Sequence, residues 1–353
     1  MKAQQAGTDL SRHPARTDRH GHSGVTMMAA TYQRFGQSEV VRLEEIPKPA
    51  PRPDEVLIKV HASTLSAADH RARSRSVPAG LEILTALGLG IFRPRHRVLG
   101  MDVAGVVEAI GSDVNRFGVG DEVVAMLGAK FGGHAEYVTV AQDAAITAKP
   151  RNMDFEEAVT LVFGGLTARG FLARADIKPG DSVLINGASG AVGTAAVQLA
   201  KNLGAHVTAV CSNGNRDLVT SLGADRVIDY TAEDFTAGDR TYDVIMDCVG
   251  NAPFSRVSGS LNPGGKLLLV VADLKGILRA PANSRRSGKL VTVGDLKLRY
   301  TTEDLASLVR LAEAGRYRAV VDRTYALPKI VRAHRFVDIG RKRGNVVVRI
   351  AGE

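Results

Sequence analysis

The chain of 353 residues is 44% hydrophobic and 24% charged, enough for two ordinary domains with the composition of a globular protein. No apolar run approaches the roughly 20 residues that span a bilayer, and no apolar stretch near the start resembles a secretory signal, so a cytoplasmic protein with no membrane partner is expected. The net charge of +9 falls in short clusters (Arg71, Arg73 and Arg75; Arg93, Arg95 and Arg97) with no Trp in the chain, which disfavours nucleic acid and leaves solvated surface or attraction for a phosphorylated cofactor and an anionic substrate.

Residues 1–26 are polar and aperiodic and read as a disordered tail, with patterned sequence beginning at Met27-Met28. From Ala29 to about Ala148 the signals are short strands punctuated by Gly and Pro: Val56–Val60, Asp102–Ile110, Glu122–Ala125 and Tyr137–Val140. This spacing predicts a mainly β, partly barrel-like unit. Phe155 to Arg174 carries apolar residues at helical spacing.

Val183-Leu184-Ile185 is an apolar run of the kind found in a strand buried on both faces. The turn Gly187-Ala188-Ser189-Gly190-Ala191-Val192-Gly193 follows, then a helix ending at Gly204 and a second strand at Val207–Val210. Strand, glycine turn and helix together predict a dinucleotide cradle, in which glycines let the backbone approach a pyrophosphate and the helix N-terminus receives its charge. Ala188 stands where the first glycine of the fingerprint usually sits, while Gly190 and Gly193 keep the other two places.

Alternation continues through a helix at Arg216–Leu222, strands at Arg226–Asp229 and Tyr242–Cys248, the turn Asn262-Pro263-Gly264-Gly265, and strands at Lys266–Val271 and Leu290–Val293. Such alternation implies a doubly wound parallel sheet. Asp304–Ala314 forms a last amphipathic helix before β signals return at Gly344–Ile350. Cys211 and Cys248 both end core strands, where burial is expected rather than a disulfide, and two cysteines are too few for a Cys-rich zinc site.

Strand ends are where open α/β sheets bind ligands, which assigns Cys248, Val249 and Gly250 to the adenosine ribose and Val270, Val271 and Ala272 to the nicotinamide. The second strand ends Val210-Cys211-Ser212-Asn213, with no carboxylate to bond a ribose 2′-hydroxyl; Ser212 and Arg216 are donors for a 2′-phosphate instead, so NADP (as NADPH) is the expected cofactor.

The motifs LGMDVAGVVEAIGSDVNRFGVGDEV (Leu99–Val123), GGHAEYVTV (Gly132–Val140), GGLTA (Gly164–Ala168), INGASGAVGTAAVQLAK, LGADRVIDY and RGNVVVRI together resemble the medium-chain dehydrogenase/reductase superfamily, in its zinc-independent quinone oxidoreductase-like branch. The resemblance implies an α/β chain with a discontinuous chaperonin-10-like β domain (27–148 and 300–353) and an inserted Rossmann dinucleotide-binding domain (149–299). It adds Thr167, Tyr230 and Asn345 to the cofactor site, and a homodimer. Where zinc members carry Gly-His-Glu this chain reads Gly100-Met101-Asp102, so no metal ligand is expected.

The implied chemistry is hydride transfer from NADPH to a quinone or an α,β-unsaturated carbonyl, with hydrogen-bond donors polarising the acceptor. In relatives the stretch His61–Ser74 lines the cleft opposite the nicotinamide, which makes Ser66, Asp69 and His70 the catalytic candidates, with Arg71 as a further substrate contact. Asp69 also suits a helix N-cap. Val77–Arg97, apolar and then basic, is the expected substrate lid. Competing readings are an enoyl-thioester reductase or alcohol dehydrogenase-like enzyme, and a cofactor-binding regulatory or RNA-binding protein without turnover. The first would want a Tyr acid in His61–Ser74, and none is present.

Overall fold

The computed structural model describes residues 24–294 and 300–351, so the expected tail lies, up to residue 23, outside the described residues. β1 (Thr26–Tyr32) and β2 (Val41–Pro47) form an antiparallel ribbon. β3 (Glu55–Leu65) is the long central strand of a second sheet, and its alternating Val56, Ile58 and Val60 are fully buried. Two helices follow, α1 (Ala67–Ser74) and α2 (Glu82–Leu89), then β4 (Asp102–Ile110), β5 (Glu122–Met126), β6 (Tyr137–Ala141) and β7 (Ile146–Ala148). These strands pair antiparallel with β3 or with one another, which bears out the β reading of this half.

The single helix expected over Phe155–Arg174 is interrupted. α3 (Phe155–Val159), capped by Asp154, runs into a π turn at Leu161–Gly165 before α4 (Leu166–Leu172) resumes. The freed Phe163 N–H is taken by the Asp102 carboxylate at 3.3 Å, a partner that local periodicity does not reveal.

The second lobe comprises β8 (Ser182–Asn186), α5 (Ala191–Asn202), β9 (His206–Cys211), α6 (Arg216–Ser221), β10 (Arg226–Asp229), β11 (Tyr242–Asp247), α7 (Phe254–Val257), β12 (Leu261–Leu269), α8 (Leu274–Ser287) and β13 (Leu290–Val293). Its six strands are parallel in the order β10-β9-β8-β11-β12-β13, with the order reversing beside β8. That is the dinucleotide-binding topology, and its crevice opens at the C-terminal ends of β8 and β11. Val183 and Ile185 pack into one core and Leu184 into the other, so β8 is buried on both faces as its run predicts. Asn262–Gly265, expected to precede β12, instead bulges within it: Tyr242 pairs with Leu261 and Val244 with Lys266.

α9 (Thr302–Glu313) buries Leu305, Leu308 and Ala312 in the cluster that holds Val183 and Ile185. After β14 (Val321–Ala326) and α10 (Ile330–Asp338), β15 (Asn345–Arg349) returns to lie antiparallel to β3, so the β lobe is discontinuous in sequence.

Candidate active site

Gly190 caps α5 with extended backbone (φ −82°, ψ 177°); no side chain accepts from the first turn, and that turn holds no acid. The N–H groups of Ala191, Val192 and Gly193 therefore point out of the helix without intrahelical partners, at its positive end. Ser189, Gly190, Ala191 and Val192 are partly exposed, whereas Ala188 and Gly193 are packed inside. A Cβ on Gly193 would stand 2.1 Å from the Gly187 carbonyl oxygen, so only glycine lets the helix approach the turn this closely. Gly187 itself has φ +79°, and Val249 covers it.

The segment before β15 is laid on this turn: the Gly344 N–H donates to the Ser189 carbonyl at 2.8 Å, and Lys342 Nζ to the Gly344 carbonyl at 2.7 Å. Asn345, buried, holds the Val320 carbonyl with both its backbone N–H (2.8 Å) and Nδ2 (3.2 Å). Thr167, also buried, accepts from the Tyr300 hydroxyl at 3.4 Å.

At the C-terminal ends of β9 and β10, Asn215 Nδ2 donates to both Ser189 Oγ (3.1 Å) and Ser212 Oγ (3.2 Å). Arg216 is exposed and donates through Nε to Asn213 Oδ1 at 3.3 Å; Tyr230 is 60% exposed beside it in the sheet order. No acid ends β9, but the neighbouring strand brings Asp229 to this rim. Its Oδ1 accepts from the Thr231 N–H (3.0 Å) and hydroxyl (2.7 Å), bonds that hold the carboxyl below its ordinary range. Reading one strand at a time misses an acid supplied by the next.

β11 stands on the opposite side of β8 from β9, so Cys248 and Val249 lie on the cleft side of the turn, away from Ser212 and Tyr230. Both cysteines carry free thiols, with Cys211 buried and Cys248 partly so. The loop after β11 is organised by Asp247, fully buried, whose Oδ1 accepts from the Val249 and Gly250 N–H groups and Asn186 Nδ2 (2.9, 3.0 and 2.9 Å), and whose Oδ2 accepts from the Ala252 N–H at 2.9 Å. Sequence reasoning missed this pair; its signal was a polar residue ending each of two apolar strands.

A cleft of about 800 Å³ opens at these strand ends. Val249, Gly250, Val271 and Ala272 wall one side, with Val270 partly buried beneath, and Ala67, His70, Arg71 and Ser76–Ala79 wall the other. The Leu274 N–H donates to the Ala79 carbonyl at 3.0 Å, joining α8 to the loop after α1 across the cleft. Of the expected lid only Val77, Pro78 and Ala79 line this space.

Ser66 and Asp69 lie behind the cleft wall, 3% and 0% exposed. Ser66 is the N-cap of α1: its Oγ accepts from the Ala68 and Asp69 N–H groups, each at 3.2 Å, and donates to Asp69 Oδ2 at 2.6 Å. Asp69 also accepts from the Ser66 N–H (2.8 Å) and, through Oδ1, from the Gly100 N–H (2.8 Å). Their bonding capacity is spent within the protein, as a capping box.

His70 lines the cleft with Nδ1 2.6 Å from Asp338 Oδ1. The same carboxylate takes both bonds from Arg73, a fully buried guanidinium, at 2.5 and 2.7 Å. With Nδ1 committed, Nε2 is the His70 nitrogen available to a ligand. Arg71, half-buried on the same wall, has no hydrogen-bond or ion-pair partner among the described residues, and burial alone draws its pKa below the ordinary value. Three candidates expected to act together are thus separated: His70 faces the cleft, and Ser66 and Asp69 hold the helix that carries it.

At the position of the zinc-binding run, Asp102 accepts from the Thr64 N–H and hydroxyl (2.7 Å each), and desolvation pushes its carboxyl up to about 7. Among the described residues no three His, Cys, Asp or Glu side chains are grouped to hold a metal ion.

Family models for an alcohol dehydrogenase GroES-like domain and a zinc-binding dehydrogenase match residues 52–151 and 222–348. The chain is 33% identical over 341 residues to the chloroplastic quinone-oxidoreductase QR1 of Triphysaria versicolor, covering 92% of this chain and 99% of that one. It is 32% identical over 334 residues to the chloroplastic NADPH-dependent alkenal/one oxidoreductase of Arabidopsis thaliana, covering 91% and 79%. The quinone oxidoreductase structure from Coxiella burnetii superposes with a TM-score of 0.82 at 31% identity, covering 93% of this chain and all of that one. With the GroES-like sheet, the inserted parallel sheet and the glycine cradle in place, the chain belongs to the medium-chain dehydrogenase/reductase family, in its quinone oxidoreductase-like branch.

Proposed function

We propose that the protein is a zinc-independent, NADPH-dependent reductase of quinones and α,β-unsaturated carbonyls. The reading rests above all on one observation: His70 and Arg71, the latter with no side-chain partner among the described residues, face the ends of β11 and β12 across one cleft. Its closest support among relatives is that one is named a quinone oxidoreductase and another an NADPH-dependent alkenal/one oxidoreductase.

The residues fit a dinucleotide: the open first turn of α5 would hold the pyrophosphate, and Ser212, Arg216 and Tyr230 the 2′-phosphate, against the charge of Asp229. Thr167, Val270, Val271 and Asn345 would frame the nicotinamide. When bound, that ring supplies a hydride. Arg71 donates to the acceptor's carbonyl oxygen, where negative charge grows as hydride arrives at carbon. His70, its ring fixed through Nδ1 by Asp338, gives the balancing proton from Nε2. Hydride plus proton completes a two-electron reduction, of an enone to a ketone or a quinone to a quinol.

Zinc does not fit the residues present. Gly100 and Met101 offer neither imidazole nor thiolate, and the Asp102 oxygens are already filled by Thr64 and Phe163. In the same reading the chain is a cytoplasmic homodimer made of a catalytic lobe (27–148 and 300–353) and a cofactor lobe (149–299).

The test is oxidation of NADPH by the purified protein with a panel of quinones and enones, before and after chelator treatment. Turnover with at least one acceptor, unchanged by the chelator, is expected. No oxidation by any acceptor, or loss of activity on chelation, overturns the reading.

A further inference from the structure

α2 buries none of its residues, although its sequence EILTALGL is apolar. An apolar helix beside a core ordinarily turns its stripe inward. Here Ile83, Leu84 and Leu87 share one face, 78%, 52% and 53% exposed, and Ile91 and Phe92 continue it at 53% and 90%. The orientation is fixed from the other side. Leu89 packs on the β-lobe core, Pro94 is buried, and the Arg75 guanidinium, lying 3.6 Å over the Phe35 ring, donates to the Gly90 and Ile91 carbonyls.

Phe92 does not stand in neutral surroundings. It borders a groove lined by four cations, Arg34, Arg42, Arg93 and Arg97, and two acids, Glu39 and Glu44, of which Glu39 is paired with Arg335. Arg97 lies 3.8 Å from Glu44, whereas Arg34, Arg42 and Arg93 have no hydrogen-bond or ion-pair partner among the described residues. Arg95, one residue past Pro94, is exposed as well. Glu82, at the start of α2, is the acid carried by Glu82–Arg97 itself.

We infer that this face lies on an anionic bilayer surface, with Ile83, Leu84, Leu87, Ile91 and Phe92 entering the headgroup–acyl boundary and Arg34, Arg42, Arg93 and Arg95 meeting lipid phosphates. Exposed aliphatic and aromatic side chains ringed by cations are what an interfacial segment requires, because neither signal alone gives stable attachment. A second copy of the chain fits poorly, since it would oppose one arginine ring to another. The segment starts three residues after Ala79, which lines the cleft, so a surface-bound molecule holds the cleft mouth near the bilayer. The use of that placement, reduction of an acceptor dissolved in lipid, rests on the proposed function; the docking does not.

The test is co-sedimentation of the full chain with vesicles of phosphatidylcholine alone or mixed equally with phosphatidylglycerol, alongside light scattering and reduction of a water-soluble quinone. Binding to the mixed vesicles at about 0.01 M salt, lost at about 1 M, is expected. Arg42→Gln with Arg93→Gln should lower partitioning about 25-fold, two steps of about fivefold each, and Ile83→Ser with Phe92→Ser at least about tenfold. All of these residues are surface ones, so reduction of the soluble quinone stays unchanged. No binding by the parent protein, undiminished binding by either double variant, or conversion of a dimer to a monomer by these substitutions overturns the inference.

Discussion

In the turn Gly187–Gly193 the backbone does the work: no side chain caps the N–H groups at the start of α5. In Ser66–Ser74 the reverse holds, for the hydroxyl of Ser66 and the carboxylate of Asp69 are consumed in capping α1, and the polar side chains that line the cleft are those of His70 and Arg71. The difference teaches that a polar residue next to a site serves the chemistry only if its bonding capacity is unspent. Arg71 meets that condition by having no partner among the described residues, and His70 by having one of its two nitrogens engaged.

The largest effects should come from closing the open groups. Gly193→Ala puts a methyl group into the Gly187 carbonyl, 2.1 Å away, and should weaken nicotinamide binding by about a hundredfold, or roughly 2.8 kcal/mol, in calorimetric titration. Arg71→Ala should lower kcat/KM about a hundredfold with cofactor affinity intact, the ordinary cost of losing one donor to a developing oxyanion. An Arg71→Ala enzyme as active as its parent would remove the guanidinium from the reaction.

At the outer rim the contrast is weaker, because Arg216 is exposed and Asp229 stands at the same edge. Arg216→Ala should therefore raise the KM for NADPH only about tenfold and leave that for NADH unchanged. Equal changes for both would make Arg216 a solvated helix residue.

The smallest effect concerns a buried pair behind the site. His134 and His334 are fully buried with ring centroids 6.3 Å apart; both nitrogens of His334 lack a partner among the described residues, and burial holds its pKa well below 6.5. An unfolded imidazole takes up a proton near 6.5 and folded His334 only at lower pH, so below 6.5 the unfolded state binds more protons and stability falls as pH drops. Asp102 acts with the opposite sign: its carboxyl, raised to about 7, costs stability as pH rises toward that value. His334→Leu isolates the first term. Its melting temperature should exceed the parent's by a margin that widens as pH falls through 6.5; a constant margin would assign the effect to packing alone.

Much of this was legible in the sequence, for local reasons. Val183–Ile185 and the glycine turn announce a buried strand and a cradle through residue types that few other structures require, and the return of β signals after α9 foretold the discontinuous lobe. What the sequence hid was set by residues distant in the chain. Asp338 reaches His70 across 268 positions, Asp229 joins the β9 rim only through strand pairing, and α2 turns outward because Arg75 and Pro94 fix its far end. Periodicity has nothing to say about any of these.

The central claim is that the cleft-facing residues of α1 act on the substrate while its capping residues only hold them. Steady-state kcat as a function of pH, measured for the parent, His70→Gln and Ser66→Ala, tests it most directly. The account predicts that His70→Gln loses about a hundredfold to a thousandfold in kcat. Ser66→Ala should keep the parent's profile and kcat while losing about 1 kcal/mol of stability with its cap. A Ser66→Ala enzyme that folds, binds NADPH and yet loses kcat as His70→Gln was expected to, with His70→Gln near parental activity, would contradict it.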